Sequence, residues 1–550
     1  KLAQTVSVKD FGAVGDGVTD DTAAIQAALN SGAGAVYFPT PTVSYYIASQ
    51  ISLPSNITVY GDGAASSIEL VDGSINGFYA SSQSGIVVRD LKFSCKSATN
   101  PTNYKGAVVL SSCSNCTVEN LTISNLHYWG VCLYSTSDST VRNCRFSSFF
   151  GVTTSIGNDS ACISLYKQSS ENLIDANYIT AATWHGILVQ DPYTGDTPAQ
   201  NIISNNYIAG GQLAYGIALY VTTSYDMKHI VKNNRISGVL GTAISGASGS
   251  GIYLQSGTGS IVDGNEVFDC CKNTSNFGTL NPACIAVHGA QTGGGPSSVG
   301  GRPNVVSNNV VHTTYGPGIA TATANLGPII TNNVITCKST ATYAVKVFDS
   351  SMTKVLNNTI VTDSSEAAII CAATNNAEVG SVTSYVQIRG NSVQTSTAIG
   401  VYLYPTTGTF ADFNVSDNQI WGGNTFAVLL DTITNVQMGG NDLSSTGAVF
   451  YASNAVNLRM SHNRLYGTSI SFVSGTSGVC DESNSLTGQM NNTTTGPMIV
   501  SQYANLAPPF SGYWGKGDCV IQSVPVVGQP KGWRCTVAGN TGTWVSEGNL

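Results

Sequence analysis

The sequence predicts an all-β chain: a right-handed, single-stranded parallel β-helix solenoid with a short N-terminal capping helix and a C-terminal β-rich module. Three observations predict it. A degenerate repeat, Val/Ile-x-x-Asn-x-Ile/Val, recurs between Val59 and Leu465, as in Ile174-Asn177-Ile179, Ile203-Asn206-Ile208, Val231-Asn234-Ile236 and Val355-Asn358-Ile360. Its copies stand between 22 residues apart (Met438 to Met460) and 44 (Val262 to Val306), the period of stacked units that cannot bury an apolar face alone. Each unit also carries a second apolar stretch of period two, often led by glycine, such as Gly216-Ile217-Ala218-Leu219-Tyr220. Gly, Asn, Ser and Thr fill the gaps, as turns require.

The elements follow in order. Residues 1–55 form the cap and the first turn of the solenoid. Asp21 or Thr22 caps a helix over Ala23–Leu29 whose end is marked by Asn30 and Gly32, and Gly34–Pro39 reads as a strand. The helix protects the open end of the stack, as terminal repeats must. Asp16, Asp20 and Asp21 are read as turn and cap residues, not as a calcium loop. Residues 56–466 are the parallel β-helix, with an inward Asn at one bend of each coil bonding the next. Early copies put Leu91, Leu121 and Cys144 at that position. Residues 467–490 are a linker or last coil. Residues 491–550 differ in composition, holding three of the six Trp (Trp514, Trp533, Trp544), and read as a trimerisation or glycan-binding module.

The run from Val8-Lys9-Asp10-Phe11-Gly12 through Asp16, Asp20 and Asp21 to Leu29, followed by Gly34-Ala35-Val36-Tyr37-Phe38-Pro39, resembles the opening segment of the pectate-lyase-like β-helix superfamily. Many phage tailspikes and capsule depolymerases share that segment. The run Gly517–Trp544 resembles the terminal module of tailspike depolymerases. The resemblance implies a homotrimer that binds and cleaves a bacterial capsule or O-antigen, and attachment to a phage tail or baseplate through a region outside this chain. It specifies a fold and not a reaction, because the superfamily holds lyases, hydrolases and epimerases.

Two outward columns carry the candidate site. In the Asn-containing strand they place Arg145, Tyr178, Tyr207, Arg235 and Glu266 on successive coils. In the second strand they place Tyr134, Tyr166, Gln190, Tyr220, Gln255 and His288, with Tyr253 nearby. Tyr faces stack on sugar rings, and Arg and Gln bond hydroxyls or carboxylates. Beyond residue 290 both columns become bland. The longest repeat step and the loops 149–159, 191–196, 269–280 and 289–302 stand beside the same coils. Glycoside hydrolysis needs two carboxyl groups, one protonated. Glu266 is the first choice of general acid, with Asp226 or Asp191 as partner and Asp269 as a further candidate. Asp363 and Glu366 form a second cluster. Lyase chemistry instead takes the proton α to a uronate carboxyl, and His288 with Tyr220 or Tyr253 and Arg235 suits that. His185, beside Trp184, begins its strand and is read either as a further candidate for this chemistry or as a turn residue. A glycan-binding adhesin without catalysis is the third reading.

Composition excludes other classes. Charged residues make up 10% of the chain and the formal net charge is −8, which leaves no basic footprint for nucleic acid. No apolar run reaches membrane-spanning length, so no membrane insertion is expected. The fourteen Cys lack paired zinc-type spacings, and those on strands behave as small hydrophobes. No metal or organic cofactor is implied. Residues 1–9 lack the apolar core of an export signal, so action outside cells is expected to follow release by another route such as lysis. The tailspike resemblance implies folding in the host cytoplasm and action from a virion tail at the cell surface.

Overall fold

The structure is a computed structural model. It describes residues 4–550 except 98–103, 127, 150–159, 181–183, 192–198, 211–213, 222–226, 240, 242–248, 256–258, 272–282, 289–301, 323–326, 365, 374–381, 397, 406–408, 424, 474, 482, 495–497, 505–512, 523 and 525. The chain divides into two compact units, residues 1–290 with 298–304 and residues 305–550 with 291–297. Each is a parallel β-helix.

In the first unit every coil contributes three short strands, and each row of strands stacks in parallel register. The first row runs from Ala35–Phe38 through Thr58–Gly61, Val87–Arg89, Thr117–Glu119, Thr140–Arg142, Leu173–Asp175, Ile202–Ser204 and Ile230–Lys232 to Ile261–Asp263. The second runs from Tyr45–Ile47 to Glu266–Phe268. The third runs from Ile51–Ser52 through Trp129–Tyr134, Ala161–Tyr166, His185–Asp191, Tyr215–Val221 and Ser250–Gln255 to Ile285–His288. The repeat's apolar pair supplies the core: Val231 and Ile236, like their counterparts on neighbouring coils, are fully buried.

The bend between the first two rows explains the Asn-Asn doublets. Asn205 and Asn233 take a left-handed φ near 55°, which Asn tolerates. The next residue turns inward. Asn234 donates from Nδ2 to the Ile203 carbonyl and to Asn265 Oδ1, both 2.9 Å, while its Oδ1 accepts from the Asn206 backbone N–H and amide. Asn177, Asn206, Asn234 and Asn265 thus form the expected ladder, which begins where Asn177 Oδ1 accepts from the Cys144 N–H. The glycines that lead the third-row strands have a steric cause. A Cβ on Gly186 or Gly216 would stand 2.6 Å from a carbonyl oxygen of the next coil.

The cap differs from the expectation in one detail. The helix spans Thr22–Leu29, but the buried Asp21 makes no cap bond. Its carboxylate accepts from the Val14 and Gly15 N–H groups and ties down the preceding loop, while Asp20 accepts from the Thr22 N–H. The neighbour with the freer geometry caps, because Asp21 is drawn inward. Asp16 is likewise filled by the Val18 and Thr19 N–H groups.

The second unit repeats the plan, with an Asn ladder from Asn309 through Asn333, Asn358, Asn391, Asn418, Asn441 and Asn463 to Asn484. In its later coils the third and first rows fuse into continuous strands, Phe426–Gly439 and Ala448–Ser461. Parallel pairing continues through Gly478–Cys480 and Ser485–Asn492. The last strands turn antiparallel: Cys519–Gln522 pairs with Gly532–Val537, which pairs with Thr543–Ser546. All fourteen cysteines are buried thiols outside any disulfide. No helix among the described residues is long and apolar enough to cross a membrane.

Candidate functional site

The two predicted columns exist, and they differ in kind. On the second row, Arg145, Tyr178, Tyr207, Arg235 and Glu266 are successive register partners. Tyr178 and Tyr207 stack at 4.7 Å and 5°, with the Arg145 guanidinium 5.3 Å from the Tyr178 ring centre. Arg235 and Glu266 approach to 3.8 Å with side chains 63% and 50% exposed. This column lies in solvent. Glu266 therefore sits in a hydrated, half-exposed ion pair.

On the third row, Tyr134, Tyr166, Gln190, Tyr220, Gln255 and His288 are register partners. Two further outward columns run beside them: Trp129, Ala161, His185, Tyr215 and Ser250, and then Ser164, Leu188, Ala218, Tyr253 and Ala286. The outward phase holds, but this column is only partly open: Tyr134, Gln190, Tyr220 and Gln255 are half-buried. Tyr166, Tyr253 and His288 are buried, and so are His185 and Tyr215. The reason is legible in the strands, which are apolar on both faces, the pattern of a sheet covered on both sides. His185 is thus a strand residue and not a turn residue.

The rings make one continuous cluster. His185 stacks on Tyr215 at 5.5 Å and 6°, Tyr215 stacks on Tyr253 at 4.5 Å, and Tyr253 meets His288 at 5.1 Å. Tyr220 packs against Tyr215 at 5.7 Å and Tyr253 at 5.2 Å. The Tyr253 hydroxyl donates to Gln255 Oε1 at 3.1 Å. Burial, then the neighbouring Tyr215, push the Tyr253 phenol well above its ordinary range, so it holds its proton.

Toward the N-terminal coils the same face opens into a cleft of about 490 Å³ lined by Gln50, Asn76, Tyr79, Tyr104, Lys105 and Trp129, with Tyr134 at its far side. Tyr104 packs on Trp129 and Tyr166, and Lys167 stands 5.0 Å from the Tyr134 ring centre. An aromatic floor with two lysines suits a sugar chain bearing carboxylates.

The structure thus brings Tyr166, Gln190, Tyr220, Tyr253, Gln255 and His288 onto one face. Arg235, Tyr178, Tyr207 and Glu266 stand on another row. Asp269 follows the Glu266 strand as a left-handed turn residue. Asp191 ends the His185 strand, but its side chain, like the whole of Asp226, lies outside the described residues. In the second unit Asp363 accepts from the Ser396 hydroxyl, and Glu366 is hydrogen-bonded to Tyr343. Tyr215, Tyr104 and Lys105 escaped sequence reading. Tyr215 precedes the alternating stretch by a glycine, and the cleft residues lie outside the coils where loops concentrate. No group of three or more His, Cys, Asp or Glu that could hold a metal occurs among the described residues.

Residues 5–274 match the family described as rhamnogalacturonase A/epimerase, pectate lyase-like, and residues 199–383 match the right-handed β-helix region family. A 77-residue stretch is 43% identical to mannuronan C5-epimerase AlgE5 of Azotobacter vinelandii, covering 12% of this chain and 8% of that protein. Alginate lyase 7 of the same organism is 43% identical over 77 residues, 12% of this chain and 9% of that protein. The chain spans less than a tenth of the length of these two relatives. Among solved structures, the tailspike protein of Escherichia coli bacteriophage HK620 is similar with a TM-score of 0.49 at 13% identity, over 80% of this chain and 76% of that one.

Proposed function

We propose that the chain is a polysaccharide-acting enzyme that removes the proton α to a uronate carboxylate, cleaving the polymer by β-elimination. The observation that carries this reading is the imidazole–phenol cluster of the buried His185, Tyr215, Tyr253 and His288 with the half-buried Tyr220 against it. The reaction needs a base and an acid in a desolvated groove, and a cation for the carboxylate. His288 takes the C5 proton. The C5–H electron pair becomes the C4=C5 double bond, the C4–O bond breaks, and the Tyr253 hydroxyl protonates the departing oxygen. Lys105 and Lys167 attract the carboxylates of neighbouring sugars. Return of a proton to the opposite face of C5, in place of elimination, gives the epimer. The short stretch shared with an epimerase and an alginate lyase supports the same first step, and the pectate lyase-like match supports a polysaccharide substrate.

Hydrolysis by paired carboxylates, the first expectation from sequence, asks for a protonated acid in a dry site. The hydrated Arg235–Glu266 pair gives that less support than the buried cluster gives elimination. The setting is the one the tailspike resemblance implies: a trimer acting on a bacterial surface polysaccharide. The C-terminal module supports assembly, since Val524, Val526, Val527, Val537, Val545 and Leu550 expose apolar surface of the kind that marks interfaces.

The deciding experiment incubates the protein with polymannuronate, polyguluronate, polygalacturonate and a panel of purified bacterial capsules. Reducing ends and the ultraviolet absorbance of an unsaturated uronate are read together. Elimination raises both. Reducing ends without absorbance would move the site to Glu266 and hydrolysis. Exchange of H5 in heavy water without new ends would make the chain an epimerase. No change in any readout leaves a binding protein. Light scattering of the full chain tests the trimer, and a monomer at micromolar concentration would end that part of the reading.

A further inference from the structure

A second groove lies in the second unit, remote in sequence from the cluster. Strands Val382–Arg389, Thr409–Ser416, Phe426–Gly439 and Ala448–Ser461 stack in parallel register. Their outward residues Gln387, Asn414, Gln437 and Arg459 form one exposed column. Two positions earlier on each coil the chain turns a corner, at Tyr385, Asp412, Asn435 and Asn457, all with left-handed φ between 55° and 63°. Asn457 donates to Asn435 Oδ1 and Asn435 donates to Asp412 Oδ1, both at 2.8 Å, so this rim is a fixed amide–carboxylate chain. Between column and rim lies a cleft of about 220 Å³, floored by the buried Val386 and Phe413.

Tyr385 is the departure from the pattern. Asp and Asn tolerate the left-handed region, whereas a bulky aromatic there is strained, and such strain collects at functional sites. The ring is not held there by packing, because Tyr385 is 62% exposed. Met352, at the same corner one coil earlier, is also left-handed and 46% exposed. An apolar platform therefore stands beside a row of amides.

We propose that this groove is a separate binding site for a neutral, hydroxyl-rich glycan segment, with one pyranose ring lying on Tyr385 and its hydroxyls bonded by Gln387, Asn414, Gln437 and Asp412. The chemistry selects the class. Amides offer donors and acceptors together, as hydroxyls require. Three successive coils, at Gln387, Asn414 and Gln437, each add an amide about 4.8 Å along the column, so a glycan meets repeated partners. Among the residues lining the cleft none is a cation, and Asp412 repels acidic groups there, whereas Lys354 and Arg459 stand one coil beyond it on either side of the column, so the neutral class applies to the ring held in the cleft. The volume is below the roughly 300 Å³ at which drug-sized pockets begin, matching a single ring rather than a deep ligand.

The test uses the full-length protein and reducing-end-labelled tetrasaccharides of glucan, galactan, mannan and rhamnan, with labelled oligomannuronate as the acidic probe. Tyr385→Asn places the residue of the neighbouring coils at the corner, so it relieves strain and should hold or raise the Tm. It is expected to weaken binding of at least one neutral probe about tenfold, the worth of one stacked ring. Gln437→Ala, an exposed change, should weaken the same probe several-fold. Tyr253→Phe and His288→Ala should leave that binding unchanged while removing activity, which separates this site from the proposed catalytic one. If no neutral probe binds, or if Tyr385→Asn binds as well as the parent, the site does not exist as described. Loss of oligomannuronate binding alone in Tyr385→Asn would overturn the neutral class.

Discussion

Two outward faces of the same coils carry the same kinds of residue and do opposite things. The column Arg145, Tyr178, Tyr207, Arg235 and Glu266 stands in water, where its charges pair and its rings stack on one another. The column Tyr166, Gln190, Tyr220, Gln255 and His288, with Tyr253 and Tyr215 beside it, lies on strands mostly buried on both sides. Strand phase tells which side chains leave the core. Burial decides what they can do once they have left. A phenol sealed against other rings keeps its proton and can give it up to a leaving group.

The comparison breaks most easily at the buried face. Tyr253→Phe removes one hydroxyl and its bond to Gln255 and leaves the ring stacking in place. The expected loss is about 10²- to 10⁴-fold in kcat on whichever polymer is cleaved, with the melting temperature kept within a few degrees. A variant that folds and cuts as fast as the parent would show that the cluster is packing and nothing more.

The next effect concerns what holds both faces in register. Asn234→Ala deletes four side-chain bonds: the Asn206 N–H loses its acceptor and the Ile203 carbonyl its amide donor, while the Asn206 and Asn265 side chains each lose one bond and keep those to the Ile174 carbonyl and the Asn234 N–H. Buried groups left without partners cost about 1–3 kcal/mol each, so a total loss of about 3–5 kcal/mol is expected. Urea denaturation measures it. A loss below about 1 kcal/mol would mean that the ladder follows from stacking and does not stabilise it.

Much of this was readable in the chain. The spacing Val231-Asn234-Ile236 and its copies required parallel coils with an inward amide, and that ladder is present from Asn177 to Asn265 and again from Asn309 to Asn484. Period and polarity are local, so a repeat announces them. The outward positions of Tyr178, Arg235 and His288 followed from the same phase. Burial was harder to read: strands such as Ala161–Tyr166 and Ile285–His288 are apolar on both faces, the pattern of a covered sheet, but which outward side chains are sealed depends on what lies over them. The structure places Glu266 in solvent and His185 within a strand. The groove at Gln387, Asn414 and Gln437 was missed for another reason. Those residues precede the apolar position of the repeat, and only register between coils makes them a column.

A carboxylate in the C-terminal module sharpens the rule that burial sets ionisation. Asp518 is buried, and desolvation pushes it up to about 6 although it accepts from the Asn492 amide and the Val500 and Gly515 N–H groups. The sign follows from linkage. A carboxyl whose folded value is raised binds its proton more tightly in the native state. Its contribution is complete below about pH 4 and is lost as pH rises through about 6. The stability gap between the parent and Asp518→Asn should therefore shrink from about pH 4 to about pH 7, read as the difference in Tm of the two proteins. A gap that widens over that window would mean that the three donors outweigh burial and hold the carboxylate ionised.

The smallest expected effect tests the exposed face. Glu266→Gln keeps the shape of the side chain and removes its charge, leaving Arg235 to water and to the Phe268 ring 5.6 Å away. Exposed pairs of this kind contribute little, so the Tm should move by a degree or less. If the chemistry belongs to the buried cluster, kcat/KM should stay within about twofold of the parent on every substrate. A fall of two orders of magnitude in kcat with the fold intact would reverse the comparison. The hydrated pair would then become dry only with substrate bound, Glu266 would be the acid, and its partner would have to be sought at Asp226 or Asp191. The phenols of the buried face would then serve to bind sugar and not to move protons.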